Sequence, residues 1–248
     1  MIRFFRTLRQ QALSGNRLGR YLLYAAGEIT LVVIGILIAL QVNNWNESQK
    51  ELALEKEVLA EIMGDLDSGV ASLENDLRIN QNLITLADEI QEQVLQNPTY
   101  TDTIGAKFGT LNFSTTLSIN TSGYDNLKNI GLGVVRNDSL RKTITEFYEN
   151  DVDFLRKGEE TDRQFIKEYF APEYLIYFES VEAGKPALGF GAIYRPLDIG
   201  RMKTDKAFHR LLGLYKRTKQ EAIYNLNLTI GKMQELKVRM EVYLSEID

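Results

Sequence analysis

The chain has 248 residues, 44% apolar and 25% charged, a composition that builds a folded core rather than a disordered tract. It holds no cysteine and one histidine, His209, which excludes a disulfide scaffold, a thiol nucleophile, a lipid-anchored cysteine and a multi-histidine metal site. The net charge of −5 hides a division: residues 1–27 carry five arginines and no acid, leaving 24 basic against 34 acidic side chains in the rest. A body that acidic is not built for nucleic acid, and none is expected as a partner.

Residues 1–20 read as a basic cytoplasmic juxtamembrane segment. Arg3, Arg6 and Arg9 are interleaved with Ile2, Phe4, Phe5 and Leu8 before a Ser14-Gly15-Asn16 break, and Arg17 and Arg20 follow it. The pattern suits a short helix lying on anionic lipid headgroups, and it equally suits a topology determinant with no other task. Twenty residues cannot hold a kinase or a DNA-binding domain, so any inward signal would need another chain.

Tyr21 to Leu40 reads YLLYAAGEITLVVIGILIAL, which as a helix rises roughly 30 Å, the thickness of a bilayer's hydrocarbon core. Residues 21–42 are therefore expected to form one transmembrane helix. The uninterrupted apolar part, Ile29 to Leu40, also suits the core of a secretory signal peptide. The exit Ala39-Leu40-Gln41-Val42-Asn43-Asn44-Trp45 lacks a well-spaced pair of small residues for cleavage, which favours an uncleaved anchor. With arginines on one side and Asn43, Asn44, Trp45, Asn46 and Glu47 on the other, the positive-inside rule places the N-terminus in the cytoplasm of a bacterial inner membrane and the remainder in the periplasm. Trp45, the single tryptophan, sits where an interfacial headgroup anchor would.

Glu28 is an ionisable group inside this span, and such a group costs a few kcal/mol unless it is paired, protonated or hydrated. Gly27, Leu31, Gly35 and Ala39 follow at spacings of four, and Gly35-x-x-x-Ala39 is a small-x-x-x-small pattern that lets helices approach closely. The functional reading is that Gly27, Glu28, Leu31, Gly35 and Ala39 dock on another transmembrane helix. The bland reading is a protonated carboxyl shallow enough to reach headgroups or water.

Residues 47–248 are expected to form a periplasmic helical-bundle domain. Leu59, Met63, Leu66, Val70, Leu73, Leu77, Asn80, Ile84, Ala87, Gln91 and Val94 alternate spacings of four and three, predicting one long helix that ends before Asn97-Pro98. Asn80 and Gln91 within that stripe fit a register-fixing role or a polar gap. Tyr100 to Gly133 reads as a loop-rich connection with a short helix from Gly123 to Ile130. Asn137-Asp138-Ser139 supplies N-cap chemistry for a second long helix over about 139–170, weakened at Gly158 and ended or kinked by Ala171-Pro172. Residues 180–200 read as a loop with a small hairpin around Ala192-Ile193-Tyr194, and Asp205 to Ile247 as a third long helix, with no second span after it. The first two long helices can run antiparallel, with the last filling the remaining groove. The fold class is thus all-α: one N-terminal transmembrane helix and an elongated antiparallel bundle with long irregular connections.

Catalytic chemistry is not evident. Gly131-Leu132-Gly133 and Gly189-Phe190-Gly191 lack the third glycine of a dinucleotide loop and read as turns. Glu159-Glu160 and Asp151/Asp153 read as solvated helix faces, and His209 as an ordinary i,i+4 pair with Asp205. No catalytic, cofactor-binding or metal-binding residue is assigned, and no enzyme activity is expected.

Several runs carry a resemblance. Met1-Ile2-Arg3-Phe4-Phe5, Tyr21 to Ile29, Val33 to Asn46, Gly123-Tyr124-Asp125-Asn126-Leu127-Lys128 and Leu140-Arg141 resemble a family of single-pass membrane proteins abundant in Bacteroidetes and labelled only as a domain of unknown function. The resemblance implies an inner-membrane anchor with a helical periplasmic body, and no activity. The expected function is a non-enzymatic accessory or scaffold subunit of a larger membrane complex, or of an oligomer of itself. The alternative is a ligand-sensing bundle with a pocket built by residues 100–133 and 180–200, its signal relayed by a partner.

Overall fold

The computed structural model describes residues 18–183 and 192–247. Helix α1 runs Leu18–Gln96, and the chain divides into two compact units between Glu55 and Lys56.

In the first unit, α1 carries a stretch of mean hydropathy 2.2, long and apolar enough by length and composition to cross a membrane, and no part of that stretch is buried.

The second unit is the bundle. After α1 come α2 (Asp102–Thr110), α3 (Ser122–Ile130) and a 3-10 turn (Leu132–Val134). A continuous helical run follows, made of α4 (Asp138–Glu146), a π turn (Phe147–Asp151), α5 (Val152–Gln164), a second π turn (Phe165–Phe170) and α6 (Ala171–Leu175). Antiparallel strands β1 (Phe178–Ala183) and β2 (Ala192–Pro196) lead through α7 (Ile199–Met202) to α8 (Lys206–Ile247). The all-α expectation holds, with a two-stranded hairpin as the described sheet.

The helix ends follow local chemistry. Asn137 accepts from the Leu140 amide at the start of α4, Thr101 from Ile104 at α2, and Asp205 from Ala207 and Phe208 at α8. Asp205 is thus occupied as a cap, and His209 Nε2 lies 3.0 Å from the Lys203 carbonyl. The expected side-chain pair between His209 and Asp205 is not made. Helix α5 runs through Gly158 without a break, and the run continues past Ala171-Pro172 to Leu175. Pro172 falls at the first positions of α6, directly after a π turn whose bonding is already offset from the α pattern, so its missing N–H breaks no regular ladder.

The π turns explain how one face stays inward. Buried positions recur at spacing four as Leu140, Ile144, Tyr148, Val152 and again as Asp162, Ile166, Phe170, Tyr174. In an α-helix each such step drifts about 40° around the axis. A wider π turn winds the face back, and one is placed within each series.

Direction is fixed by ion pairs and shared cores. Lys237 meets Asp67 at 2.7 Å and Lys216 meets Asp88 at 2.7 Å, so α8 runs antiparallel to α1. Lys232 with Asp151 and Lys219 with Asp162 make α8 antiparallel to the second helical run as well. The first two long helices therefore run parallel, not antiparallel. The chain comes back between them: Thr110 ends α2 near one end of the bundle, and by residue 120 the chain is hydrogen-bonded to Asp65.

The core has two clusters. One gathers Leu59, Ile62, Leu66 and Leu73 of α1 with Ile144, Phe147 and Leu155, and with Leu226, Met233 and Met240 of α8. The other gathers Leu83, Ile90 and Val94 with Phe108, Phe170, Tyr174, Phe208, Leu212 and Tyr215. Each fully buried side chain of this size contributes about 1.5–3 kcal/mol relative to exposure. In the second cluster aromatic rings add edge and stacking contacts: Phe170 lies 4.7 Å from both Tyr174 and Tyr215, and Phe108 lies 5.1 Å from Phe178. The two clusters meet at a level where the inward residues are polar.

Candidate functional site

The residues expected to dock in a membrane lie in the first unit. Along α1, Glu28, Leu31, Gly35 and Ala39 follow at spacings of three and four, so they fall on one face. Leu31 is 72% exposed, and a Cβ on Gly27 or Gly35 would meet nothing within 4 Å. Thr30 returns its hydroxyl to the Ala26 carbonyl at 2.8 Å, so that polar group is satisfied inside the helix. Among the described residues the Glu28 carboxylate has no hydrogen-bond or ion-pair partner. Tyr24 and Trp45 are both largely exposed, and 21 residues of helix separate them by about 31 Å. Of the headgroup set, Arg3, Arg6, Arg9 and Arg17 lie outside the described residues, and Arg20 falls in the first turn of α1.

In the bundle, the run Gly123-Tyr124-Asp125-Asn126-Leu127-Lys128 lies within α3 and docks that helix on α1. Gly123 lies so close to α1 that a Cβ there would come within 2.8 Å of the Ile62 nitrogen. Asp65, buried on α1, accepts from the Gly123 amide at 2.7 Å, from Asn120 Nδ2 at 2.6 Å and from the Ser122 hydroxyl. It thereby caps a helix from a distant part of the chain. Tyr124 stacks on Tyr148 at 4.6 Å and donates to Glu149 at 2.9 Å, Asn126 donates to Glu61, and Lys128 sits over the Tyr124 ring. Leu127 is fully buried. Sequence reasoning singled out this run; the Asp65 carboxylate it depends on was missed, because Asp65 looks like any exposed acid between Leu59 and Leu66.

The stretches imagined as pocket walls are packed against each other. Gly109 of α2 lies directly on β2, where a Cβ would overlap the Ala192 carbonyl, and Asn112 donates to the Tyr194 hydroxyl at 2.6 Å. Gly189-Phe190-Gly191 lies outside the described residues. Gly131, at φ 110°, ends α3 as a turn glycine.

The remaining polar arrangement is the layer between the two cores. Asp76 and Asn80 of α1, Gly158, Glu159 and Asp162 of α5, and Lys219 and Asn225 of α8 meet there. Lys219 is fully buried and reaches both Asp162 oxygens; burial pulls its pKa down, partly offset by that carboxylate. No group of three or more metal-ligating side chains is present among the described residues.

Residues 28–170 match a family described as a family of unknown function, DUF6090. The chain belongs to the DUF6090 family. The matched span opens at Glu28 and includes the rest of α1, the α3 dock and the second helical run as far as Phe170. The N-terminal resemblance before Glu28 falls outside it, as do the hairpin and α8. No curated protein and no solved structure matches the chain.

Proposed function

We propose that this DUF6090 protein is a non-enzymatic, single-pass accessory or scaffold subunit of a bacterial inner membrane, docking through its apolar helix onto a larger membrane complex. One observation carries the reading: the face of Glu28, Leu31, Gly35 and Ala39 lies in a stretch that the described residues leave wholly uncovered. In lipid an unpaired carboxylate is costly and small residues permit close helix contact, so a second transmembrane helix satisfies both features at once. The spacing of Tyr24 and Trp45 suits the two edges of a hydrocarbon core roughly 30 Å thick. The arginines of residues 1–20 support a cytoplasmic N-terminus against anionic lipid, with residues 47–248 in the periplasm.

The test is gentle detergent extraction of the full chain from native membranes, with the mass of the intact complex and the identity of its chains measured. The expected result is a second, larger membrane protein at fixed ratio, lost when Glu28 is replaced by Leu. Recovery of the chain in the soluble fraction, or a complex indifferent to Glu28→Leu, would overturn the docking role. A lone homo-oligomer would instead favour a self-contained scaffold or the ligand-sensing alternative.

A further inference from the structure

The two apolar cores are separated by a level at which three helices turn polar groups toward one another. On α1, Asp76 is 6% and Asn80 1% exposed. Asn80 donates to the Asp76 backbone carbonyl at 2.9 Å, yet among the described residues Asn80 Oδ1 and Asp76 Oδ2 accept nothing. Beside Asn80 is a cavity of about 20 Å³ lined also by Thr115, Gly158, Glu159, Asp162 and Asn225, among others. That is room for one water. Gly158 helps to keep the space open, since a Cβ there would crowd Asn225 Nδ2 at 3.2 Å.

The charges around Asp76 are unbalanced. From α5 it faces Glu159, an acid like itself. Asp162, one turn further along α5, is already engaged by Lys219 of α8. The segment at Thr115 and the α8 residues Ala222, Asn225 and Leu226 bring no charge. A carboxylate with one oxygen buried without a cation or donor, next to a second carboxylate, holds a proton more tightly than it would in water.

We propose that this layer is a proton-operated joint of the bundle: with a proton on Asp76 the helices close over it, and release of that proton to solvent loosens α1 from α5 and admits water. The Asp76 pKa, pushed up to about 6 first by burial and then by Glu159, places the transition where a mild acidification would act. The joint needs no ligand other than the proton, and it rests on geometry independent of the membrane docking proposed above.

The test uses the full chain in detergent micelles. Infrared difference spectra across pH 5–8 should show a protonated-carboxyl band that disappears with a midpoint near pH 6. That band is expected to vanish in Asp76→Asn, which is nearly isosteric, and its midpoint to fall in Glu159→Gln, which removes the neighbouring charge. Amide exchange over residues 73–84, corrected for its intrinsic pH dependence, should be about tenfold faster at the alkaline end in the wild type, less than the rise from 3.8 to about 6 would give in full because solvent screens part of the charge, and pH-independent in Asp76→Asn. An unchanged carboxyl band in Asp76→Asn, or equal protection across the pH range in the wild type, would overturn the proposal.

Discussion

Lys219 Nζ lies 2.9 and 2.7 Å from the two carboxylate oxygens of Asp162, and no part of the lysine reaches solvent. Such a pair is costly to halve and cheap to replace. Asp162→Asn leaves an uncompensated buried ammonium and is expected to cost about 3–5 kcal/mol. The double variant Lys219→Met, Asp162→Leu should recover most of that loss. Chemical denaturation of the two variants beside the wild type checks both statements.

Asp65 holds three donors of the α3 dock, two of them at 2.6 and 2.7 Å. Asp65→Ala strands the Gly123 amide and the Asn120 and Ser122 side chains in a part-buried site, with an expected cost of about 2–4 kcal/mol. Proteolysis should then cut first between residues 112 and 131. Equal protease resistance of variant and wild type would count against Asp65 as the organiser of this connection.

Glycines divide into two kinds. Gly109→Ala would drive a Cβ into the Ala192 carbonyl and is expected to unseat the hairpin, lowering stability by about 3 kcal/mol or more. Gly213 and Gly231 of α8 have nothing within 4 Å of a Cβ, so alanine there should stabilise by about 0.5–1 kcal/mol through helix propensity. Melting temperatures of the three variants should move in opposite directions.

Asp76 gives the bundle a pH dependence of definite sign. Its folded pKa of about 6 lies above the ordinary carboxylate value of 3.8, so the folded state holds the proton more tightly. This contribution to stability is complete below about pH 4 and is lost as pH rises to about 6. Asp76→Asn should remove that slope and stabilise the protein at pH 7 by roughly 1 kcal/mol, less than the full shift would give because solvent screens part of the charge.

With no native cysteine, single-cysteine variants report topology cleanly. A thiol at Asn46 should react with a membrane-impermeant maleimide from the periplasmic side of intact spheroplasts. One at Asn16 should react only after lysis. The reverse pattern would invert the orientation.

The sequence stripe on α1 was half the true seam. Leu59, Leu66, Leu73, Asn80, Ala87 and Val94 are all buried as expected. The alternate positions are Ile62, Gly69, Asp76, Leu83 and Ile90, one residue before the Met63, Val70, Leu77, Ile84 and Gln91 that periodicity suggested. Gly69 and Asp76 interrupt the apolar pattern there, while Met63, Val70 and Leu77 lie partly buried at the rim because α1 is covered from two sides. Helix α2 was read as loop since Gly105 and Gly109 weaken its propensity, and both glycines are required by close neighbours. The parallel course of the first two long helices rests on where residues 111–121 travel, which no local pattern encodes. On the face of Glu28, Leu31, Gly35 and Ala39, the sequence names the residues, and the fold adds that none of the described residues covers them.

The ion pair between Asp67 and Lys237 joins residues 170 positions apart, and it bears on how the protein is made. The bundle seam of α1 leaves the ribosome long before α8, which supplies Leu226, Met233, Leu236 and Met240 to cover it. Contacts of such separation close slowly, because the loop must be ordered before any contact rewards it. During synthesis the first helix therefore waits with an apolar flank open, a stage at which holding factors or proteases would act. The last forty residues complete the domain, so late truncations should deplete the protein more severely than their length suggests.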